Sequence, residues 1–159
     1  MARGQLVAKT PVDELIAFEE ATRDLVGVAL RSVDGLEVSL PQFRLLMVLA
    51  ELGRSTSTDC AKALGVVGSS VTRLADRLDA SGHLVRGSDP SNRSIVTLEL
   101  TPRGRKLVKQ VTTRRRRDLG RMLDRLDPAE RAACASALQD LHKLFSDSAT
   151  DDVYNPVPL

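Results

Sequence analysis

The stretch VTRLADRLDASGHLVRGSDPSNRSIVTLELTPRGRKL, residues 71 to 107, decides the fold class of this chain. Its first part has apolar residues at helical spacing, namely Val71, Leu74, Ala75 and Leu78. This spacing predicts a helix with one buried face, which begins at Ser69 or Ser70 and runs to Ser81. Gly82 ends the helix, because glycine reaches the left-handed conformation of a helix C-terminus without steric cost.

A β-hairpin is predicted directly after this helix. Residues 84–86 form its first strand, and residues 94–100, with a run of β-branched side chains, form its second. Asp89-Pro90-Ser91-Asn92 between them consists of turn-forming residues. Arg93 follows the turn, so the hairpin presents a cation at its tip.

A short helix is predicted upstream, from Ser57 to Leu64, and Gly65 ends it. A glycine-rich turn, residues 65–68, then leads into the helix that ends at Ser81. We call this helix the polar helix, because the face opposite its apolar residues is polar and basic. A short helix, a turn and a second helix of this kind are typical of a helix-turn-helix, and the following hairpin adds a wing.

Long helices are predicted on both sides of this module. One covers residues 11–34 and stops at Gly35, and the next begins with the capping sequence Ser39-Leu40-Pro41-Gln42 and runs to Gly53. After the hairpin, Thr101-Pro102 begins a helix over residues 102–126. Residues 127–130, Asp-Pro-Ala-Glu, then begin a last helix that reaches Asp147.

The predicted fold is therefore mainly α-helical with a small β-wing. Its segments, in chain order, are a flexible N-terminus (1–10), an N-terminal dimerisation helix (11–35), a winged helix-turn-helix domain (36–101), C-terminal dimerisation helices (102–147) and a tail (148–159). Dimerisation is expected because the flanking helices are too apolar to stay exposed and have little to pack on within one small chain.

Composition limits the classes of function. Aromatic residues are only 3% of the chain, so the core must be built from Leu, Val and Ala rather than around a cofactor pocket of stacking rings. No nucleophile–base pair, phosphate-binding loop or carboxylate pair indicates an enzyme. No apolar run is long enough to span a bilayer, which favours a cytoplasmic protein.

The charge distribution is more informative than the net charge of +2. Acidic residues gather near the N-terminus, whereas basic residues gather between Arg73 and Arg117. The N-terminal end of the polar helix carries hydroxyl groups and one arginine, which fit base edges and phosphates in a DNA major groove: Ser69, Ser70, Thr72 and Arg73. The cation at Arg93 fits a narrow, electronegative minor groove beside it.

The order of these elements resembles the MarR family, the multiple-antibiotic-resistance-type winged-helix regulators. The matching motifs are V-T-R-L-x-D-R-L, G-x-L-V-R, D-P-x-x-R and L-T-x-x-G, within a layout that extends over residues 11 to 147. The resemblance implies a homodimer that binds a palindromic operator, usually as a repressor, without a cofactor. It also implies DNA contacts from Ser69, Ser70, Thr72, Arg73, Arg77, Asn92 and Arg93, and a wing shaped by Asp89 and Arg93.

The resemblance further implies a small-molecule effector, anionic or aromatic, bound between the dimerisation region and the winged helix. Thr72 and Arg86 are the expected residues of that cleft, and Arg86 is able to hold an anion. An alternative use of Arg86 is an ion pair with Asp76 that braces the wing against the polar helix. The wing departs from the family pattern, because Ser91, Asn92 and Ser94 replace some of the basic residues that are common there.

Several charged and reactive residues leave alternatives open. The run Arg114 to Arg117 is a solvated face, a partner for the acidic N-terminal helix, or a phosphate contact. Cys60 and Cys134 lie far apart without a metal or disulfide pattern, and both are expected to be small buried core residues. His83 follows a helix C-terminus, which favours its protonated form, and it has no neighbouring ligands for a metal.

A second class of function competes with DNA binding. In the alternative hypothesis the winged helix is a protein-interaction module, and its polar helix and arginine run dock an acidic protein partner. Sequence-selective binding to duplex DNA separates the two hypotheses.

Overall fold

A computed structural model describes residues 9–148. The elements, in chain order, are α1 (Val12–Val33), α2 (Leu40–Leu52), β1 (Ser55–Thr56), α3 (Ser57–Leu64), α4 (Gly68–Ala80), β2 (Leu84–Ser88), β3 (Val96–Leu100), α5 (Pro102–Leu123) and α6 (Pro128–Ser148). The predicted mainly helical fold with a β-wing is therefore confirmed. Residues 1–8 and 149–159, with most of the predicted N-terminus and tail, lie outside the described residues.

The helix starts follow the sequence signals closely. Ser39 caps α2 in a complete capping box with Gln42, and Thr101 caps α5 by accepting a hydrogen bond from the backbone N–H of Gly104. Asp127 likewise accepts from the N–H of Ala129 at the start of α6, 2.8 Å away. Each cap satisfies backbone donors that the first helical turn leaves unpaired.

The hairpin differs from its prediction at both strand ends. β2 continues to Ser88, whereas β3 begins at Val96 rather than at residue 94. The reason is that Asn92 holds the turn, because its side chain accepts from the N–H of Ser94 and its carbonyl accepts from the N–H of Ile95. These bonds keep residues 94 and 95 in the turn.

A third strand, missed by the sequence analysis, completes an antiparallel sheet of order β1-β3-β2. Ser55 pairs with Leu98 across β1 and β3, and Leu84 pairs with Leu100 across β2 and β3. A strand of two residues has no detectable period, so the pattern of alternation that reveals longer strands is absent.

The core lies between α2, α3, α4, the sheet and the first half of α5. Its fully buried side chains include Phe43, Leu45, Leu46, Val71, Leu78, Leu84, Leu98 and Val111. The apolar stripe predicted for the polar helix is confirmed, since Val71, Ala75 and Leu78 of α4 have no exposed surface. Burial of this stripe turns the polar face of α4 outward.

The terminal helices lack such a core. Side chains in the N-terminal half of α1, such as Leu15, Ile16 and Phe18, are about half exposed in the single chain, at 47–55%. In α6, every described side chain is exposed except the half-buried Arg131 and Leu141. Cys134 is one of the exposed residues, so the prediction that both cysteines are buried holds only for Cys60.

Candidate nucleic-acid interface

The polar face of α4, which we call the reading face, contains the predicted DNA-binding residues of this helix: Ser69, Ser70, Thr72, Arg73 and Arg77. All are exposed except the half-buried Ser70. The helix begins at Gly68, one residue earlier than predicted, so Ser69 and Ser70 lie within its first turn. The hydroxyls of Ser69 and Ser70 therefore lie at the N-terminal end of α4, where the helix dipole favours an anion.

Arg73 and Arg77 are free cations within the described residues, since neither forms an ion pair or a side-chain hydrogen bond there. The hydroxyl of Thr72, by contrast, donates to the carbonyl of Gly68 at 3.2 Å. It can still accept a hydrogen bond from a ligand. The reading face thus offers two unpaired guanidinium groups beside hydroxyl acceptors.

A cleft of about 320 Å³ between α2 and α4 adds a cation that the sequence analysis missed. Arg44 of α2 lines this cleft together with Ser70, Arg73 and Arg77. Its guanidinium holds only a long hydrogen bond, 3.4 Å, to the carbonyl of Leu64. Sequence reasoning had no signal for this neighbourhood, because Arg44 lies 26 positions or more before the residues it joins.

The wing turn is built around the carboxylate of Asp89. One of its oxygens accepts hydrogen bonds from the N–H of Ser91 at 2.8 Å, the N–H of Asn92 at 3.2 Å and the hydroxyl of Ser91. These bonds, led by the one from the Ser91 hydroxyl, lower the pKa of Asp89 below its usual value. This geometry is what a turn-shaping role for Asp89 requires.

Arg93 takes no part in holding the turn. Its side chain is exposed and forms no hydrogen bond or ion pair with any residue between 9 and 148, so the implied wing-shaping role rests with Asp89 alone. Asn92 is also exposed, although its side-chain oxygen is occupied by Ser94. The wing therefore presents one unpaired cation at its tip.

Arg86 of β2 braces the wing against α4, as the sequence suggested. Its guanidinium is hydrogen-bonded to Asp76, lies 3.8 Å from a carboxylate oxygen of Asp79, and contacts the carbonyl of Thr72 at 3.5 Å. The guanidinium of Arg86 therefore pairs with Asp76 and approaches Asp79, and its single charge offsets one of the two carboxylates beside the reading face. Together with the unpaired Arg73 and Arg77, the arginines of this region outnumber its carboxylates.

A second cleft, of about 510 Å³, lies on another side of the module, between α2, β3 and α5. Its lining combines apolar and basic residues, among them Leu49, Arg54, Leu100, Arg105, Val108, Lys109 and Arg116. Arg54 is paired with Glu99 at 2.7 Å, whereas Lys109 and Arg116 have no such partner in the described chain. Thr72 and Arg86, the predicted effector residues, line neither this cleft nor the one beside α4.

Two of the four arginines in the α5 run contact the end of the N-terminal helix, and the other two are exposed to solvent. Arg115 donates to the hydroxyl of Ser32 at 3.0 Å and lies 5.3 Å from the ring centre of Phe43, and Arg114 donates to the carbonyl of Asp34. Pairing with the N-terminal helix is thus confirmed, but through its C-terminal end rather than its carboxylates. Arg116 and Arg117 remain exposed.

His83 and Cys60 lie away from the interface. Burial is the main cause that lowers the pKa of His83, which corrects the prediction of a protonated imidazole. The helix terminus is a local effect, and the surrounding protein outweighs it. Burial likewise raises the pKa of the Cys60 thiol, and no group of three or more acidic, His or Cys side chains in residues 9–148 could hold a metal ion.

Comparison with known proteins identifies the fold. A MarR family model matches residues 35–93. The HTH-type transcriptional regulator YfiV of Bacillus subtilis is 30% identical over 113 residues, which cover 71% of this chain and 71% of YfiV. The chain belongs to the MarR family.

Solved structures extend the match over most of the chain. The crystal structure of RV1404 from Mycobacterium tuberculosis superposes with a TM-score of 0.74 at 34% identity, covering 87% of this chain and 97% of RV1404. BpsR of Bordetella bronchiseptica, whose DNA binding is regulated by 6-hydroxynicotinic acid, superposes with a TM-score of 0.65 at 25% identity, covering 82% and 98%.

MarR proteins are transcription regulators that bind DNA, so the predicted regulator, rather than an enzyme, is confirmed. No helix among the described residues is long and apolar enough to cross a membrane. The predicted boundaries of the MarR-type domain and its DNA-binding residues remain predictions.

Proposed function

We propose that this chain is a homodimeric, sequence-specific repressor that binds a palindromic operator through α4 and the wing. One observation carries the proposal: Arg73, Arg77 and Arg93 are exposed and unpaired in the described chain, while Arg86 pairs with Asp76 and lies 3.8 Å from Asp79. A surface whose unpaired cations outnumber its uncompensated carboxylates is suited to a polyanion.

The division of labour follows from groove geometry. α4 has the dimensions of a major-groove reader, where Arg73 would meet a guanine edge and the first-turn hydroxyls would meet bases or phosphates. Arg93 would enter the adjacent minor groove and respond to its width and potential. Arg44 and Arg77, at the edge of the α2–α4 cleft, would contact the phosphate backbone.

The exposed apolar surfaces of α1 and α6 support a dimer. A two-fold axis through these helices would cover side chains such as Leu15, Phe18 and Leu138, which are 46–55% exposed in the single chain. It would also place two copies of α4 about one DNA turn apart, which is the spacing of a palindromic operator. Light scattering that shows a monomer at micromolar concentration would contradict this part of the proposal.

The DNA-binding test is fluorescence anisotropy with a duplex taken from upstream of the chain's own gene and a scrambled duplex, at two salt concentrations. We expect tight, salt-sensitive binding that prefers the native sequence. Arg73→Ala should remove sequence preference, whereas Arg93→Ala should mainly weaken affinity. Arg117→Ala, on the exposed side of α5, is the matched control and should bind as wild type.

Equal binding of the native and scrambled duplexes would argue instead for the interaction module that docks an acidic protein. Full binding by both Arg73→Ala and Arg93→Ala would reject the site assignment while leaving the regulator in place. A reporter gene placed behind the bound duplex then decides between repression and activation.

An effector is the second part of the proposal. An anion that bound at Thr72 and Arg86 would compete with Asp76 and Asp79 for one guanidinium, and would release the brace that holds the wing to α4. The relative BpsR is regulated by an aromatic acid, 6-hydroxynicotinic acid, which is a suitable first probe with salicylate beside it. We expect a raised Tm and loss of operator binding on addition of an effective acid.

Two variants locate the effector. Arg86→Ala should abolish the thermal shift if the acid binds at the brace, whereas Lys109→Ala should abolish it if the acid binds in the α2–α5 cleft. No thermal shift and no DNA release with either acid class would remove the effector from the proposal.

A further inference from the structure

One buried titratable side chain is not used by DNA recognition. His83 is 1% exposed and lies where the end of α4 leads into β2. Its Nδ1 is 2.8 Å from the hydroxyl of Ser81, and its Nε2 is 3.5 Å from a carboxylate oxygen of Glu37 in the loop between α1 and α2. The imidazole therefore lies between the C-terminal end of α4 and the loop that joins α1 to α2.

Backbone bonds make the same position a junction with α5. The N–H of Thr101 donates to the carbonyl of His83 at 3.1 Å, and the hydroxyl of Thr101 donates to the carbonyl of Gly82 at 2.7 Å. Gly104 is packed so closely that a Cβ there would lie 2.0 Å from the carbonyl oxygen of His83. We call this set the His83 joint: Glu37, Ser81, His83, Thr101 and Gly104.

A neutral ring satisfies the joint without a buried charge. With its proton on Nε2, the imidazole faces Glu37 as a donor, and Nδ1 accepts from the Ser81 hydroxyl when that hydroxyl turns its one proton to the ring rather than to the carbonyl of Leu78, 3.2 Å away. A protonated ring would place a full charge in a site with almost no solvent access, which is costly unless a counter-ion compensates.

The compensation available is small. The carboxylate of Glu37 is 55% exposed, lies 3.5 Å away and is already hydrogen-bonded to Arg103, whose guanidinium repels a second cation. Glu37 and Arg103 are the charged groups that act on His83, and the carboxylate raises the pKa of His83 less than burial lowers it. A group with a lowered pKa binds its proton more readily when the surrounding structure opens.

We propose that the His83 joint is an acid-sensitive connection that fixes the α4–wing unit relative to α1 and α5, and that protonation of His83 releases it. This inference rests on the proposed DNA-binding function, since release would be read out as weaker operator binding. His83 is a positioning residue: it contacts no DNA and acts through the orientation of α4.

The test compares pH profiles of operator binding for wild type and three variants. Between pH 7.5 and pH 5.5 we expect the wild-type Kd to rise about fivefold more than that of His83→Gln, within the limit of about tenfold per pH unit for one coupled proton. Glu37→Gln removes the carboxylate that raises the pKa of His83 in the closed joint, so the closed and open forms differ more in proton affinity and the rise in Kd should be larger than in wild type. His142→Gln, at the only other histidine of the chain, should keep the wild-type profile.

Two further measurements make each outcome decisive. The imidazole of His83 should titrate by NMR below the ordinary value of about 6.5. After correction for the slower intrinsic exchange at low pH, the protection of the amides of His83 and Thr101 should fall between pH 7.5 and pH 5.5 in wild type but not in His83→Gln, while circular dichroism shows that the helices persist. Parallel pH profiles for wild type and His83→Gln, or an ordinary His83 titration, would overturn the inference.

Failure of the proposed DNA-binding function can be distinguished from failure of the His83 inference. If wild type fails to bind the operator at pH 7.5, the DNA proposal fails and the amide exchange alone decides the joint. Equal exchange in wild type and His83→Gln at both pH values would then reject it.

Discussion

The winged-helix module buries its apolar side chains, whereas the terminal helices α1 and α6 leave large apolar side chains exposed. In the module, Leu45, Val71, Ala75 and Leu78 are completely buried, and the described chain has no buried side-chain polar atom without a hydrogen-bond partner. In α1 and α6, Leu15, Phe18 and Leu138 stay about half exposed. The difference teaches that the module completes its own core, whereas the terminal helices are built to be completed by another surface.

The largest expected effect tests this contrast directly. Leu78→Ala should destabilise the chain by about 3 kcal/mol in urea unfolding, because it removes a fully buried side chain of α4 and leaves a cavity. Leu15→Ala, on α1, should change the unfolding free energy of the dissociated chain by less than about 0.5 kcal/mol and should instead weaken self-association in sedimentation. Equal unfolding shifts without an effect on association would break the comparison.

The next largest effect on stability is expected near the start of α5, where Gly104 packs against the carbonyl of His83. Gly104→Ala should cost about 1–3 kcal/mol, since its Cβ would meet a backbone carbonyl that has little room to move. Gly120→Ala on the same helix meets nothing within 4 Å and should be neutral or stabilising by up to about 1 kcal/mol, from helix propensity alone. Thermal denaturation of both variants measures the difference between their stability changes. A destabilising Gly120→Ala would show that helix propensity does not determine the stability change at that position.

A smaller effect is expected where α5 holds α1. Arg115→Ala should cost about 1–2 kcal/mol, because the guanidinium contacts Ser32 and the ring of Phe43 from a half-buried position. Arg117→Ala should stay within about 0.5 kcal/mol. Burial lowers the pKa of Arg115, yet arginine keeps its charge at every ordinary pH, so this difference between the two variants should not change between pH 6 and pH 9.

The smallest effect on stability is expected in the wing. Hydrogen bonds lower the pKa of Asp89, so the turn is held by the ionised carboxylate above the unfolded value and is lost as the pH falls through the folded value. The amides of Ser91 and Asn92 should therefore lose protection below about pH 4, and Asp89→Ala should lose it at every pH. Operator affinity of Asp89→Ala should drop by less than about tenfold, because Arg93 is misplaced rather than removed.

The sequence was sufficient for features that depend on local spacing. The apolar stripe of α4, the caps at Ser39 and Thr101 and the brace between Asp76 and Arg86 all lie within short stretches of chain, so periodicity and charge reveal them. Features that depend on distant residues were out of reach. Arg44 and Arg73 line the same cleft only because the fold brings α2 and α4 together. Arg115 likewise donates a hydrogen bond to Ser32, which lies 83 positions earlier in the sequence.

His83 shows the limit most clearly. A nearby helix end favours the protonated ring, and that signal is visible in the sequence. Burial by α5 and the α1–α2 loop has the opposite sign and is larger, but no local pattern reports it. Cys134 is the reverse case, because burial was expected from residue type and the single chain leaves it exposed.

The helix α5 has a mechanical consequence. It starts directly after the wing and contains 22 residues, so it is a rod about 33 Å long. A rod of that length amplifies rotation: a tilt of about 10° at one end displaces the other by about 6 Å. In the proposed dimer each protomer contributes one such helix, so a small angular change at the base of each wing would produce a large change in the distance between the two α4 helices.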